Sequence, residues 1–179
     1  MSDRLERSQA VIDPRYVQTM ARYNSWQNNQ SMPVLEAMSH DELTKDHGAF
    51  FGSLLATANH LLWGDILWMS RFDPSVQPPE VGGADSTGLH PTVMSWAADR
   101  FRLDGKIRFW ADGLRAVDLI GDLTWYSVTE GRDMTTPIST AVIHFFNHQT
   151  HHRGQIHAML TASGRKAPVS DLVFMPQDI

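Results

Sequence analysis

The chain has 179 residues, 42% hydrophobic and 20% charged, with a formal net charge of −5 at pH 7, so it fits one domain (residues 1–179) able to bury about 70% of its unfolded surface. A duplex-DNA binder carries a basic footprint that this balance lacks, and no nucleic-acid partner is expected. The absence of cysteine excludes disulfides, thiolate metal ligands and a cysteine nucleophile, fits a reducing cytoplasm, and leaves histidine and carboxylate as metal ligands.

Residues 1–9, M-S-D-R-L-E-R-S-Q, contain no apolar signal core. Asp13-Pro14 then marks a helix start, with Asp13 as cap and Pro14 at the first helical position. This first helix carries Tyr16, Met20, Tyr23, Trp26 and Gln27 at spacings of three and four, and Pro33 is expected to kink or divide it before Leu35 and Met38. Residues 39–45 read as a polar connection. A second helix is predicted over residues 48–72, with Phe51, Leu54, Leu55, Ala58, Leu62, Ile66 and Met69 on a broad apolar face. Asn59, His60 and Asp65 interrupt this stretch, so a buried bundle helix explains it better than a membrane span. Asp73-Pro74 stops it, and residues 73–91, rich in Pro and Gly, form a loop long enough to be a lid or a floppy connection.

The third helix is expected from about residue 92 to 117, through Val93, Trp96, Ala97, Phe101, Ile107, Trp110 and Leu114, with Gly105 as a weak point. Its basic residues Arg100, Arg102, Lys106 and Arg108 alternate with Asp99, Asp104 and Asp112, which reads as a mixed solvated face. Residues 123–128 alternate weakly and suit a short strand or extended loop, turned back by Glu130-Gly131. Thr136-Pro137 repeats the cap-plus-proline signal and starts the fourth helix, which ends at Gly164. Residues 165–179 are expected to wrap the surface. Four long helices with almost no strand signal predict an all-α chain. It would be a four-helix bundle with a long loop between the second and third helices and a C-terminal surface tail.

The main functional signal lies in the fourth helix, where residues 144–160 hold five of the nine histidines. His144, His148 and His152 step by four and share one face. On a helix the Cβ atoms of His148 and His152 lie about 5–6 Å apart, and both rings reach one ion at about 2.0–2.1 Å. Gln149 stands where a H-E-x-x-H motif would carry its glutamate base, so that motif is absent. His60, in the most apolar helix, is the natural third ligand, with Ala56 and Gly64 one turn either side leaving room for an ion and a small ligand. The alternative is a buried histidine bonded to a neighbouring polar side chain, and spacing alone does not separate the two. His144 suits a bundle-end position better than a fourth ligand, and His151 and His157 suit roles outside the ligand set. Gly154 suggests close approach of a neighbouring helix, Gln155 falls near the ligand face, and Arg153 is free to pair with an acid such as Asp65.

These residues carry a resemblance. Residues 145–160, F-F-N-H-Q-T-H-H-R-G-Q-I-H-A-M-L, resemble the signature of the DinB family, within the wider DinB/YfiT-like superfamily of metal-binding bundles. Within residues 48–72, F-F-G-S-L-L-A-T-A-N-H-L-L-W-G-D-I-L-W is similar to the family's second-helix signature, and Y-N-S-W-Q-N at residues 23–28 fits as well. The resemblance implies a bundle of unusual connectivity and a divalent metal, Zn or Ni, held by His60, His148 and His152. Related superfamily members act as transferases or isomerases with low-molecular-weight thiols. A metal-dependent enzyme is therefore implied, acting on a small molecule with a thiol cosubstrate (transferase) or a metal-activated water (hydrolase). With no cysteine in the chain, the thiol must arrive from outside. The competing expectation is a non-catalytic, metal-binding stress-response protein, which a fourth ligand from His144 would mark. Family analogy also suggests a homodimer, although no sequence feature fixes an interface.

Overall fold

Asp13 accepts a hydrogen bond from the Tyr16 amide at 2.8 Å, and helix α1 (Pro14–Glu36) starts where the Asp-Pro pair places it. The structure, a computed structural model, describes residues 10–178. The polar stretch 1–9 and the last residue of the expected tail lie outside the described residues. Pro33 does not divide α1, which continues to Glu36. Pro33 and Asn29, whose carbonyl loses its partner there, are both exposed, so water can satisfy that group. The connection at residues 39–45 folds into the short helix α2 (His40–Thr44), closed by a reciprocal Ser39–Glu42 capping box.

Helix α3 (Leu54–Phe72) begins later than residue 48, because Gly52 takes a φ of 76° and Ser53 then caps the Ala56 amide. Residues 73–91 contain a 3₁₀ turn (Gly83–Gly88) packed against α3. Helix α4 (Val93–Gly113) is capped by Thr92 and runs unbroken through Gly105. It stops short of residue 117, and a further 3₁₀ turn (Ala116–Leu119) follows. Strands β1 (Asp122–Ser127) and β2 (Arg132–Pro137) pair antiparallel, with Asp122 opposite Pro137, and the turn between them uses Gly131 at a φ of 64°. Thr136 therefore belongs to β2 and caps nothing. Pro137 itself is the residue before α5 (Ile138–Ala162). Gly164, at a φ of 73°, ends that helix as predicted, with the Arg165 amide bonded to the Leu160 carbonyl at 3.0 Å.

Helix α1 packs chiefly on α4 and α3 chiefly on α5, while α4 also contacts α3 and α1 contacts α5. Val17, Leu54, Leu62, Met69, Ile107, Val142, Phe145, Phe146 and Leu160 are fully buried between them, each contributing roughly 1.5–3 kcal/mol by leaving water. No described helix is long and apolar enough to cross a membrane. The tail crosses α1, where Tyr23 donates to the Ser170 carbonyl at 2.5 Å and Gln27 to the Val169 carbonyl at 2.7 Å.

The expected solvated face of α4 is only partly solvated. Phe101, expected on the apolar face, is exposed, whereas Arg100 is fully buried and donates to Asp65 at 2.5 Å and Asp104 at 2.6 Å. Asn24 and Asn28 complete Asp104 at 3.0 Å each. Arg153 does not pair directly with Asp65; it donates to Asn24. Arg100 and Asp104 share the buried stripe of Trp96, Leu103, Ile107 and Ala111, so helical geometry carries both charges inward. Burial pushes the Asp65 carboxyl up to about 6, against the pull of Arg100.

Candidate metal centre

The pairing of α3 with α5 sets His60 opposite His148 and His152. One nitrogen from each ring lies within 4.8 Å of the others, and the ring centroids are 4.4 Å apart for His148–His152, 4.9 Å for His60–His152 and 5.4 Å for His60–His148. Three imidazoles converge on one point.

Their hydrogen bonds fix how two of the rings present themselves. Ser86 donates its hydroxyl proton to the Gly83 carbonyl at 2.6 Å, so its oxygen is left to accept from His60 Nδ1 at 2.9 Å. With Nδ1 protonated, the neutral His60 ring carries its lone pair on Nε2. His152 Nδ1 meets Gln155 Oε1 at 2.8 Å, and a carbonyl oxygen only accepts, so His152 also keeps Nε2 bare. Gln155 is held in that orientation by its amide nitrogen, 3.3 Å from His151 Nε2. This is the arrangement by which an imidazole is oriented and made more basic toward a cation.

His148 is anchored by shape. A Cβ added at Gly64 would lie 2.7 Å from His148 Cε1 and 3.3 Å from Nδ1, so the ring occupies the space that a side chain at position 64 would fill. The room expected at Gly64 for an ion and its ligand is taken by the third imidazole instead. Its Nδ1 is buried and has no hydrogen-bond partner in the protein, a costly state unless something else satisfies it.

Burial depresses all three rings. It pushes His60 down to about 4, helped by repulsion from His152, and His148 down to about 3, helped by His152, His60 and their neighbours. His152 is also lowered, chiefly by burial. At neutral pH all three are uncharged, the protonation state metal ligation requires. The donor set fits a divalent cation.

The DinB family model matches residues 1–178. The chain belongs to the DinB family. A crystal structure of a DinB-like protein from Bacillus cereus ATCC 10987 shares its fold, with a TM-score of 0.56 and 19% identity over 80% of this chain and 90% of that one. No curated protein matches the chain.

In this DinB chain the remaining histidines stay outside the group. His144 is exposed and packs edge-on against Trp68, with centroids 5.0 Å apart. Among the described residues no fourth histidine, aspartate or glutamate joins His60, His148 and His152. His151 is exposed beside His152, at 4.8 Å between centroids. Phe51, expected on a helix face, instead precedes α3 and lies over His60 at 4.1 Å and near His152 at 5.5 Å. Trp63 stacks on the same ring at 5.8 Å. Sequence reasoning placed Gln155 near the site but missed Ser86, because a loop serine 26 residues from its partner leaves no periodic trace.

Proposed function

We propose that the chain is a metal-dependent enzyme in which His60, His148 and His152 hold one divalent cation, Zn or Ni, within a four-helix bundle. The observation that carries this reading is the group of three neutral imidazoles that no fourth histidine, aspartate or glutamate joins among the described residues. A structural site is usually closed by four protein ligands, whereas three leave a position for a reactant. Bound there, the cation would lower the pKa of a thiol or water and polarise the bond it attacks.

Thiol transfer is the better-supported chemistry. A free thiol ionises near 8.5 and needs only a small shift to become a thiolate at neutral pH, while water starts from about 15.7. Hydrolysis also gains from a carboxylate base, and among the described residues no aspartate or glutamate joins the triad. The aromatic rings of Phe51 and Trp63 against His60 give an apolar, planar wall for a small electrophile.

A conjugation screen tests this. Metal-loaded chain, low-molecular-weight thiols and small electrophiles are combined, and thioether formation is followed. Turnover that requires thiol and metal, and that is lost in His148→Ala, is expected. A fully metal-loaded chain that turns over neither electrophiles nor hydrolysable esters and amides would reduce the ion to a staple between α3 and α5, and the enzymatic reading would fail.

A further inference from the structure

A cavity of about 300 Å³ lies between α1, α5 and the C-terminal tail, and neither His148 nor His152 lines it. Its volume falls at the small end of ligand sites. Tyr23, Ile156, Leu160 and Pro168 give it apolar walls, and Arg153 is the one permanent charge among the lining residues.

Two features of α5 bear on how this space is used. The first is Arg153. Both nearby buried carboxylates, Asp65 and Asp104, hydrogen-bond to Arg100. Arg153 donates one amino group to the neutral side chain of Asn24, its guanidinium lies 5.3 Å from the Tyr23 ring centroid, and its Nη2 is buried with no partner in the protein. A cation placed this way lacks an anion bonded to it. The second is Gly154. Glycine inside a helix is unfavourable relative to alanine, and the expected reason, close approach of a neighbouring helix, does not hold. A Cβ at Gly154 would meet nothing within 4 Å. The residue borders the cavity and is itself exposed, so a larger side chain has room at that border.

We propose that this cavity is a second binding site, for a small organic carboxylate whose anionic group pairs with Arg153 and whose apolar body lies along Tyr23, Ile156 and Leu160. The tail, held by Tyr23 and Gln27 through the carbonyls of Ser170 and Val169, forms one wall of the site. Nothing in it depends on the three histidines.

Calorimetric titration of the metal-loaded chain tests the assignment. The probes are straight-chain carboxylates from acetate to octanoate, with the amides of the same lengths as neutral controls. Saturable binding of at least one carboxylate is expected, at least ten-fold tighter than its amide. Gly154→Leu, which sets a larger side chain at the cavity border and replaces neither Arg153 nor its partners, should abolish that binding while metal content and helicity stay unchanged. If Gly154→Leu loses helicity, Ser31→Leu on the facing wall gives the same reading. The absence of saturable binding across the series, or equal affinity for carboxylate and amide, overturns the proposal. So does binding that survives cavity filling, since the anion then sits elsewhere, for example on the cation.

Discussion

At His60 a serine on another segment decides which ring nitrogen is free. Because Ser86 spends its own proton on the Gly83 carbonyl, it can only accept from His60 Nδ1, and Nε2 is left bare, free to meet a cation. Ser86→Ala removes the acceptor and frees the ring to rotate or change tautomer. Metal affinity in a competitive chelator titration should fall about 10- to 100-fold, with the circular dichroism spectrum unchanged. Unaltered affinity would show that the bond orients nothing. The ring environments make a second, independent expectation. In the metal-free chain His60 and His148 should titrate by NMR near 4 and 3, rather than near the ordinary value of about 6.5. Between about pH 6.5 and 4 at His60, and down to about 3 at His148, the unfolded chain then binds more protons at these positions than the folded one. They therefore weaken the fold progressively as pH falls through that window, and have no such effect above it. Asp65, whose folded value is raised to about 6, acts in the opposite sense between about 3.9 and 6. Ring titration separates these contributions, and a midpoint near 6.5 at either histidine would contradict the burial described.

At the scale of elements, the segment at residues 73–91 is the least anticipated part. Its Pro and Gly content reads as a lid or a loose connection, yet α3 bonds it at three points between residues 81 and 90. Asn59 donates to the carbonyls of Thr87 and His90 at 2.9 Å each and accepts from the His90 amide at 3.3 Å, and Trp63 donates to the Val81 carbonyl at 2.8 Å. The polar residues that interrupt the apolar face of α3 were visible in sequence; what they hold was not, because backbone carbonyls carry no sequence signal. Asn59→Ala strands three backbone groups and should cost roughly 2–4 kcal/mol in urea unfolding. Amide exchange over residues 83–90 should rise, and metal affinity should fall because Ser86 is carried by that turn. Unchanged exchange there would mean that Asn59 does not secure the segment. Helix α4 shows the opposite case. Its charges alternate as on a solvated surface, yet Arg100 and Asp104 recur at the spacing of the buried stripe, and that spacing was the sign that both face inward.

Over the whole molecule, the histidine steps in α5 and the lone His60 in α3 carried the site, because a 3.6-residue period and one polar residue in an apolar helix are both readable from sequence. Long helices, caps and the glycine stop at Gly164 were readable for the same reason. The parts that were not readable depend on packing between distant segments. They are the Ser86 contact, the His148 ring filling the space at Gly64, and the buried charges that join α1, α3, α4 and α5. The fold thus brings three uncharged imidazoles together between α3 and α5, and a cation held by them would join the two helices.

The central claim is that these three histidines hold one divalent ion. Elemental analysis of chain prepared without an affinity tag, alongside His60→Ala and His148→Ala, measures it directly. The account expects close to one Zn or Ni per chain in the parent, and loss of that metal in both variants with helicity retained. Unchanged metal content in both variants would contradict it.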